Sequence, residues 1–289
     1  MNERVMGIVA GISLAFVFAS MGIFARYLST DFTLLTQIYL RVAIAFLICA
    51  VIFAHYVSWQ KFLALPWREW GILTLRAISL FGGVLIFSYA LIIGNYSNVS
   101  FAASVPLLPL FGYFLFKDKL SAKIIGYILL SLLGLGLITV NDWSSFSLGY
   151  PELLAVAAVV LFDISYIARK WERHTLTSLE SAMVNFFISA TLLFMISLAM
   201  GEGLPTLSAF SFDIVLVLIV AAVFNIFNFS LINYVFSTLT ATFAGSILTL
   251  ETVFALLISI LLYSEIPTII QLFGSALILV SVYKINQLT

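Results

Sequence analysis

The sequence predicts an all-α polytopic membrane protein with ten transmembrane helices, on three observations. Of its 289 residues, 63% are hydrophobic and only 9% are charged, whereas soluble domains carry about 25% charged residues. The mean hydropathy is +1.18 with no polar half, which leaves no room for a separate soluble catalytic domain. The chain also divides at polar residues into ten apolar stretches that can each cross a bilayer core about 30 Å thick.

The ten predicted helices are joined by short connections, none of which is long enough to fold as a domain. Their approximate bounds are 5–25, 32–55, 70–93, 97–116, 124–140, 150–168, 178–200, 213–234, 240–263 and 266–284. The first stretch follows a charged start, as in a signal peptide. It lacks a small-x-small cleavage site and has a counterpart later in the chain, so we interpret it as a span.

The positions of Lys and Arg test this count independently, because cytoplasmic loops are enriched in both residues. With the N-terminus inside, the inner segments hold ten of the thirteen basic residues, and the outer loops hold Arg26 alone. A missed or extra helix among the first seven would scramble this separation, whereas the last three helices carry little such information. We expect a multi-pass protein of the cytoplasmic (inner) membrane with both termini in the cytoplasm.

Charge and cysteine content argue against several other classes of protein. Thirteen basic and thirteen acidic residues give no net charge, so a nucleic-acid partner is not expected. Cys49 is the single cysteine, and no Cys/His cluster offers a metal site. HExxH and GxSxG motifs are absent, as is a nucleotide-binding GxxxxGK[ST] motif, so we expect neither an enzyme, nor a cofactor, nor direct use of ATP.

An internal repeat divides the chain into two halves. The run FSYALIIGNYSNVSFAASVPLLPLF, which begins at Phe87, aligns without gaps to the run that begins at Phe229, 142 positions later. We therefore predict two five-helix units, 1–144 and 145–289. Because five crossings are an odd number, the second unit must be inverted in the membrane relative to the first. Inverted repeats are a recurring design of secondary transporters, since two such halves can exchange inward-open and outward-open shapes.

At these residues the sequence resembles the drug/metabolite transporter superfamily, in particular its EamA-type ten-helix branch. The resemblance is carried by FSYAL…NVSFAASVPLLPLF…KDKLS in the first half and by LTATFAGSILTLETVF…YSEIPT in the second. It covers nearly the whole chain and implies a transporter fold of five plus five helices. The second half departs from the family pattern, since Thr252 follows Glu251 where the family usually has Glu-Pro. A proline therefore cannot kink the ninth helix there.

Four charged residues fall inside predicted spans, where each costs about 2.5 to 3.5 kcal/mol on insertion scales and is a functional candidate by default. Glu251 and Arg41 are nearest the midplane by residue count. Glu251 could bind a cation or take up a proton, and Arg41 could bind a carboxylate or phosphate. The alternatives for Arg41 are a structural ion pair with Glu251 or Asp163, or a snorkelling side chain. Asp163 is itself a candidate substrate-binding residue. Arg76 lies nearer the cytoplasmic face, where pairing at a gate or snorkelling is expected.

Uncharged polar side chains add further candidates for a substrate site. Asn225 and Asn228 are three residues apart on the eighth helix and share a face. Ser104 and Ser246 offer hydroxyl groups on helices rich in small residues, where close helix packing is the alternative explanation. Tyr89 could contribute to an aromatic pocket for an apolar or cationic ligand.

Two prolines, Pro106 and Pro109, lie within one turn of the fourth helix and remove two backbone donors. We expect a kink there, because the freed carbonyl groups must be satisfied elsewhere or face a cavity. Together with Arg76, the two prolines are candidate gating residues.

These features favour a secondary active transporter that works by alternating access. Interior charges of both signs favour an amino acid or another zwitterion as substrate, with organic cations or drugs next and an intramembrane enzyme as a remote alternative. Proton coupling is a hypothesis that depends on Glu251 alone. The expected partners are a small-molecule substrate and the lipid bilayer, and the protein is expected to be a monomer or a homodimer.

Overall fold

The computed structural model describes residues 3–94, 96–103, 105–140, 149–173, 176–202, 204–263 and 266–288. This part of the chain forms thirteen α-helices. They are α1 (Glu3–Leu28), α2 (Leu34–Val51), α3 (Trp59–Leu63), α4 (Trp67–Ile93), α5 (Tyr96–Ala102), α6 (Leu107–Phe116), α7 (Ala122–Thr139), α8 (Tyr150–Ala168), α9 (Ser178–Ala199), α10 (Phe212–Thr238), α11 (Ala241–Leu248), α12 (Leu250–Tyr263) and α13 (Ile269–Leu288).

Ten segments in the described residues are long and apolar enough to cross a membrane, which confirms the predicted all-α polytopic fold. Eight of these spans are single helices. The fourth span consists of α5 and α6, and the ninth consists of α11 and α12. The second span ends at Val51, before the predicted bound, and a 3-10 turn and the short helix α3 follow it.

Side-chain caps fix the starts of several helices. A Ser or Thr hydroxyl accepts a hydrogen bond from a backbone N–H in the first turn, which satisfies one of the donors that have no acceptor within the helix. This arrangement begins α2, α7, α9, α10 and α11, with the caps Thr33, Ser121, Thr177, Ser211 and Thr240. Hydropathy alone predicts the helix boundaries only approximately. The capping Ser and Thr residues between apolar runs fix where these helices begin.

Polar contacts hold each end of the helix bundle together. At one end, which we call the basic end, Arg4 Nη2 donates to Asn286 O at 2.7 Å and so joins the two terminal helices. At the other, the acidic end, Glu202 Oε2 accepts hydrogen bonds from Thr33 Oγ1 at 2.8 Å and Ser197 Oγ at 2.9 Å. The start of α1 and the end of α13 both lie at the basic end, as an even number of spans requires.

The principal helix contacts join the two predicted halves of the chain. Helix α4 packs against α8, α1 against α10, α2 against α9, and α7 against α13. In each pair one helix comes from residues 1–144 and the other from 145–289. If α1 corresponds to α8 and α4 to α10, the α4–α8 contact is equivalent to the α10–α1 contact. Twofold symmetry between the two halves would produce this equivalence. The inverted repeat itself stays a prediction.

The contact between α7 and α13 depends on two glycines. A Cβ added to Gly134 would lie 2.6 Å from the carbonyl oxygen of Gly274, and a Cβ on Gly274 would lie 2.7 Å from that of Gly134. Because both obstacles are backbone atoms, a side chain at either position would force the helices apart. Small residues at membrane helix contacts allow this kind of close approach.

We expect Gly134→Ala to destabilise the protein by about 1 to 3 kcal/mol, the usual cost of overpacking. Gly126→Ala in the same helix is the matched control, since a Cβ there meets nothing within 4 Å. Thermal unfolding in detergent should show a lower Tm for Gly134→Ala and an unchanged or slightly higher Tm for Gly126→Ala. Equal Tm values for the two variants would contradict the close contact.

Candidate functional site

The fourth span is interrupted at the expected prolines. Helix α5 ends at Ala102 and α6 begins at Leu107, with Pro106 as its N-cap. Pro109 is the third residue of α6, in the first turn, where a backbone N–H would have no helical acceptor in any case. The predicted kink is confirmed, and it is a full break between two helices.

The ninth span is interrupted at the corresponding place without any proline. Thr249 separates α11 from α12, and its Oγ1 donates to Ser246 O at 2.7 Å. Ser131 Oγ on α7 donates to Thr249 Oγ1 at 3.2 Å. A hydroxyl that bonds the preceding turn in this way competes with the regular helix ladder and favours a bend.

The two broken spans meet in their basic-end halves, where α6 packs against α11. A Cβ on Gly245 would lie 2.8 Å from the Cβ of Leu108. Beyond this contact, Asp118 Oδ2 accepts hydrogen bonds from Thr242 N and Thr242 Oγ1, both at 3.1 Å. The acidic-end halves have other neighbours, since α5 packs against α7 and α8 and α12 packs against α1 and α13.

Glu251 is the second residue of α12 and lies immediately beyond the break in the ninth span. Its side chain is exposed, yet it is close enough to Tyr166 to interact with it electrostatically. Tyr166 is buried, stacks on Phe236 at 5.4 Å between ring centroids, and contacts Phe18 at 6.2 Å. The exposed carboxyl group thus follows the helix break directly and is close enough to a buried tyrosine of another span to affect it electrostatically.

Asp163 lies three residues before Tyr166 on α8 and is 4% exposed. Its Oδ2 is buried and has no hydrogen-bond partner among the residues that the structure describes. Both Asp163 and Glu251 are close enough to Tyr166 to act on it electrostatically. The structure therefore brings two of the sequence-predicted carboxyl groups to one tyrosine.

Arg41 is 9% exposed on α2, and its Nε donates to the carbonyl oxygen of Gln37 at 3.3 Å. The predicted alternative of an ion pair with Glu251 or Asp163 is wrong for the described chain, because none of its ion pairs includes Arg41. Gln37 Oε1, one turn away, is also buried without a described partner. Arg41 thus carries an interior positive charge without a counter-charge in contact.

Arg76, on α4, is 1% exposed, and each nitrogen of its guanidinium group donates a hydrogen bond. Its Nη1 donates to Glu172 and, at 3.0 Å, to Ser181 Oγ, and its Nη2 donates to Asn233 Oδ1 at 2.6 Å. Its Nε donates to Ser165 O at 3.1 Å. The expected pairing of Arg76 is confirmed, and a role in gating stays a prediction.

A second arginine completes this cluster. Arg169 Nη1 donates to Glu172 Oε2 at 2.5 Å, and Asn233 Nδ2 donates to Ser178 O at 2.8 Å. Glu172, Arg169, Ser181 and Asn233 are not among the sequence-predicted site residues. Glu172 and Arg169 were hidden because they follow the sixth apolar stretch, where hydropathy assigns a loop and burial is not expected.

The remaining candidates differ in what their side chains do. Asn228 is buried and its Oδ1 has no described partner, whereas Asn225 on the same helix is half-buried. Ser246 Oγ donates to Phe243 O at 2.8 Å and so is satisfied within its own helix. Tyr89 is half exposed on the face of α4 that also carries the exposed Ile78. Ser104 lies outside the described residues.

The fold and site define a ten-span membrane protein with two broken helices and ionisable side chains in its interior. Comparison with known proteins agrees. Residues 149–287 match the model of the EamA-like transporter family. The chain is 26% identical over 193 residues to an uncharacterized transporter of Archaeoglobus fulgidus, an alignment that spans 66% of this chain and 60% of that protein. A crystal structure of another protein has the same fold, with a TM-score of 0.78, 16% identity, and coverage of 98% of this chain and 99% of that one.

Residues 149–287, most of the second half of the chain, are therefore similar to the EamA-like transporter family. The resemblance to EamA-type transporters that the repeated motifs suggest is confirmed.

We expect Glu172→Gln to destabilise the protein by about 3 to 5 kcal/mol, because it leaves two buried arginines without their shared counter-charge. Asp213→Asn is the matched control, since Asp213 is exposed in the first turn of α10. Thermal unfolding in detergent should show a large fall in Tm for Glu172→Gln only. Similar Tm values for both variants would show that the cluster contributes little.

Proposed function

We propose that this chain is a secondary active transporter that moves a small metabolite across the membrane by alternating access. The observation that carries the proposal is Glu251, an exposed carboxyl group within a span, beside a helix break and buried aromatic rings. Charged groups and broken helices at membrane depth are characteristic of transporter binding sites. The family match supports this function over the remote alternative of an intramembrane enzyme.

The packing of the broken spans supports alternating access. Their basic-end halves, α6 and α11, pack together, and Asp118 bonds Thr242 across them. The other halves, α5 and α12, pack against different helices. We interpret this as a conformation closed at the basic end. If the two five-helix units are inverted copies, each can adopt the conformation that the other now has. The acidic end would then be closed and the basic end open.

A zwitterion such as an amino acid is the substrate that the interior charges favour. Its ammonium group would contact Glu251, and its carboxylate would be bound by Arg41, whose guanidinium has no ion-pair partner in the described chain. A guanidinium can bind a carboxylate with two parallel hydrogen bonds. Asn225 and Asn228 are candidates to line the same path.

An organic cation or drug is the second candidate substrate. Tyr166, Phe18 and Phe236 form an aromatic group beside Glu251. Aromatic faces attract cations, and the attraction grows when water is excluded. A ligand of this kind would use Glu251 and the rings and would not need Arg41.

Variants of the two charged residues separate these substrates. Uptake into proteoliposomes of an amino-acid panel and an organic-cation panel should fall about ten- to a hundredfold in Glu251→Gln, the effect of losing one charge-assisted contact. Arg41→Met should reduce zwitterion uptake by a similar factor and leave cation uptake unchanged.

Asp213→Asn serves as the control for both variants, because it removes an exposed carboxylate at a helix start. Full uptake by Glu251→Gln would contradict the proposed site. Equal losses of both substrate classes in Arg41→Met would argue against the assignment of Arg41 to a carboxylate.

We further propose that the basic end faces the cytoplasm, so that the protein lies in the cytoplasmic membrane with both termini inside. The excess of Lys and Arg in the predicted inner segments supports this orientation. A reporter active only in the cytoplasm should work when fused after residue 289 or within residues 117–121, and should be silent when fused within residues 200–206. Activity at the third site would reverse the orientation.

A further inference from the structure

Asp163 has none of the contacts that normally stabilise a carboxylate inside a membrane. It is 4% exposed, and its Oδ2 has no hydrogen-bond partner in the described chain. No ion pair of the described residues includes it. Glu172, in contrast, is comparably buried but touches two arginines.

The helices packed against α8 bring no free positive charge to Asp163. These neighbours are α4, α5, α6 and α10, with the turn at Arg169–Trp171. Helices α5 and α6 contain no Asp, Glu, Lys, Arg or His. The acid of α10, Asp213, lies in its first turn at the acidic end. In the turn, Arg169 is bound to Glu172, and Lys170 Nζ donates to Leu239 O at 2.7 Å.

The closest cation on α4 is Arg76, which bonds the backbone of Ser165. Its remaining donors go to Glu172, Ser181 and Asn233, so none is directed at Asp163. Arg68 and Glu69, at the start of α4, pair with each other at 3.0 Å. Of the positive charges near α8, Arg76 and Arg169 thus pair with Glu172, and Lys170 bonds a backbone carbonyl group.

Tyr166 lies three residues from Asp163 on the same helix and is buried. Its neutral phenol group brings no positive charge that could stabilise Asp163 as a carboxylate. Burial without a cation or a hydrogen-bond donor disfavours the charged form of a carboxyl group.

We propose that Asp163 is the proton-binding group of this protein, since it is buried with an unpartnered oxygen and meets no described cation. In the conformation described, Asp163 is protonated and neutral. The proton leaves by breaking the O–H bond of Asp163 and passing to water when its surroundings become hydrated, which leaves a carboxylate. The proposal deepens the transport function proposed above and rests on it for its coupling role.

This assignment gives the two carboxyl groups different roles. Glu251 contacts the substrate, whereas Asp163 binds the proton that couples transport to a pH gradient.

Infrared spectroscopy of the full chain in lipid nanodiscs tests the protonation of Asp163 without any substrate. The wild type at pH 7 should show the C=O stretch of a protonated carboxylic acid. This band should shift when all aspartate side chains are labelled with ¹³C, a test that needs no mutation. The band should vanish in Asp163→Asn and persist in Glu251→Gln. The proposal would be overturned if the wild type lacked this C=O band. It would also be overturned if the unlabelled Asp163→Asn variant retained the band.

Transport assays test the coupling role and separate it from the function itself. With a substrate identified from the two panels, Asp163→Asn should keep at least half of wild-type counterflow without a pH gradient but lose stimulation by an imposed gradient. Glu251→Gln should lose counterflow itself. Full stimulation of Asp163→Asn by the gradient would overturn the coupling role. If no panel substrate is transported by the wild type, the transport function fails, and the infrared result still decides the protonation of Asp163.

Discussion

The cost of a charge inside a bilayer divides the interior ionisable groups of this protein into two kinds. Arg76, Arg169 and Glu172 satisfy one another and bond polar groups of neighbouring spans. Arg41, Asp163 and Glu251 have no ion-pair partner in the described chain. The paired cluster has a structural role, because it joins neighbouring helices. An unpaired charge at membrane depth has no such role and indicates a function. In the second group, Arg41 and Glu251 are the residues of the proposed substrate site, and Asp163 is the proposed proton-binding group.

Backbone hydrogen bonding imposes the second constraint. In a bilayer, a helix can be interrupted only where protein or a water-filled cavity receives the freed polar groups. Both interruptions, at Pro106 and at Thr249, lie on spans that contact each other through α6 and α11. Glu251 follows the second break directly. The break in the ninth span and the carboxyl group of Glu251 are thus adjacent along the chain.

Hydropathy and charge placement were sufficient to predict the ten spans, because the cost of polar groups in lipid is local and additive along the chain. The break at Pro106 was predictable from proline alone. The break at Thr249 was not, because it depends on hydroxyl bonds to Ser246 and to Ser131 on a different span. Arg41 and Glu251 were identified as interior charges, but sequence could not show that they do not pair. Glu172 was missed because a tertiary contact, not its local sequence, buries it.

The energies of the basic-end contacts distinguish a scaffold from a gate. The Arg76 cluster joins α4, α8, α9 and α10, all unbroken helices, and breaking a buried ion pair costs about 3 to 5 kcal/mol. Asp118 is partly exposed and joins the two broken spans through hydrogen bonds to Thr242, which water can replace when the spans separate. A ligand shifts a conformational equilibrium only by the difference in its affinity for the two states. A movement that separates α6 from α11 and leaves the arginine cluster intact requires the smallest difference in ligand affinity between the two states. This favours Arg76 as part of a rigid scaffold and Asp118 as part of the contact that opens and closes.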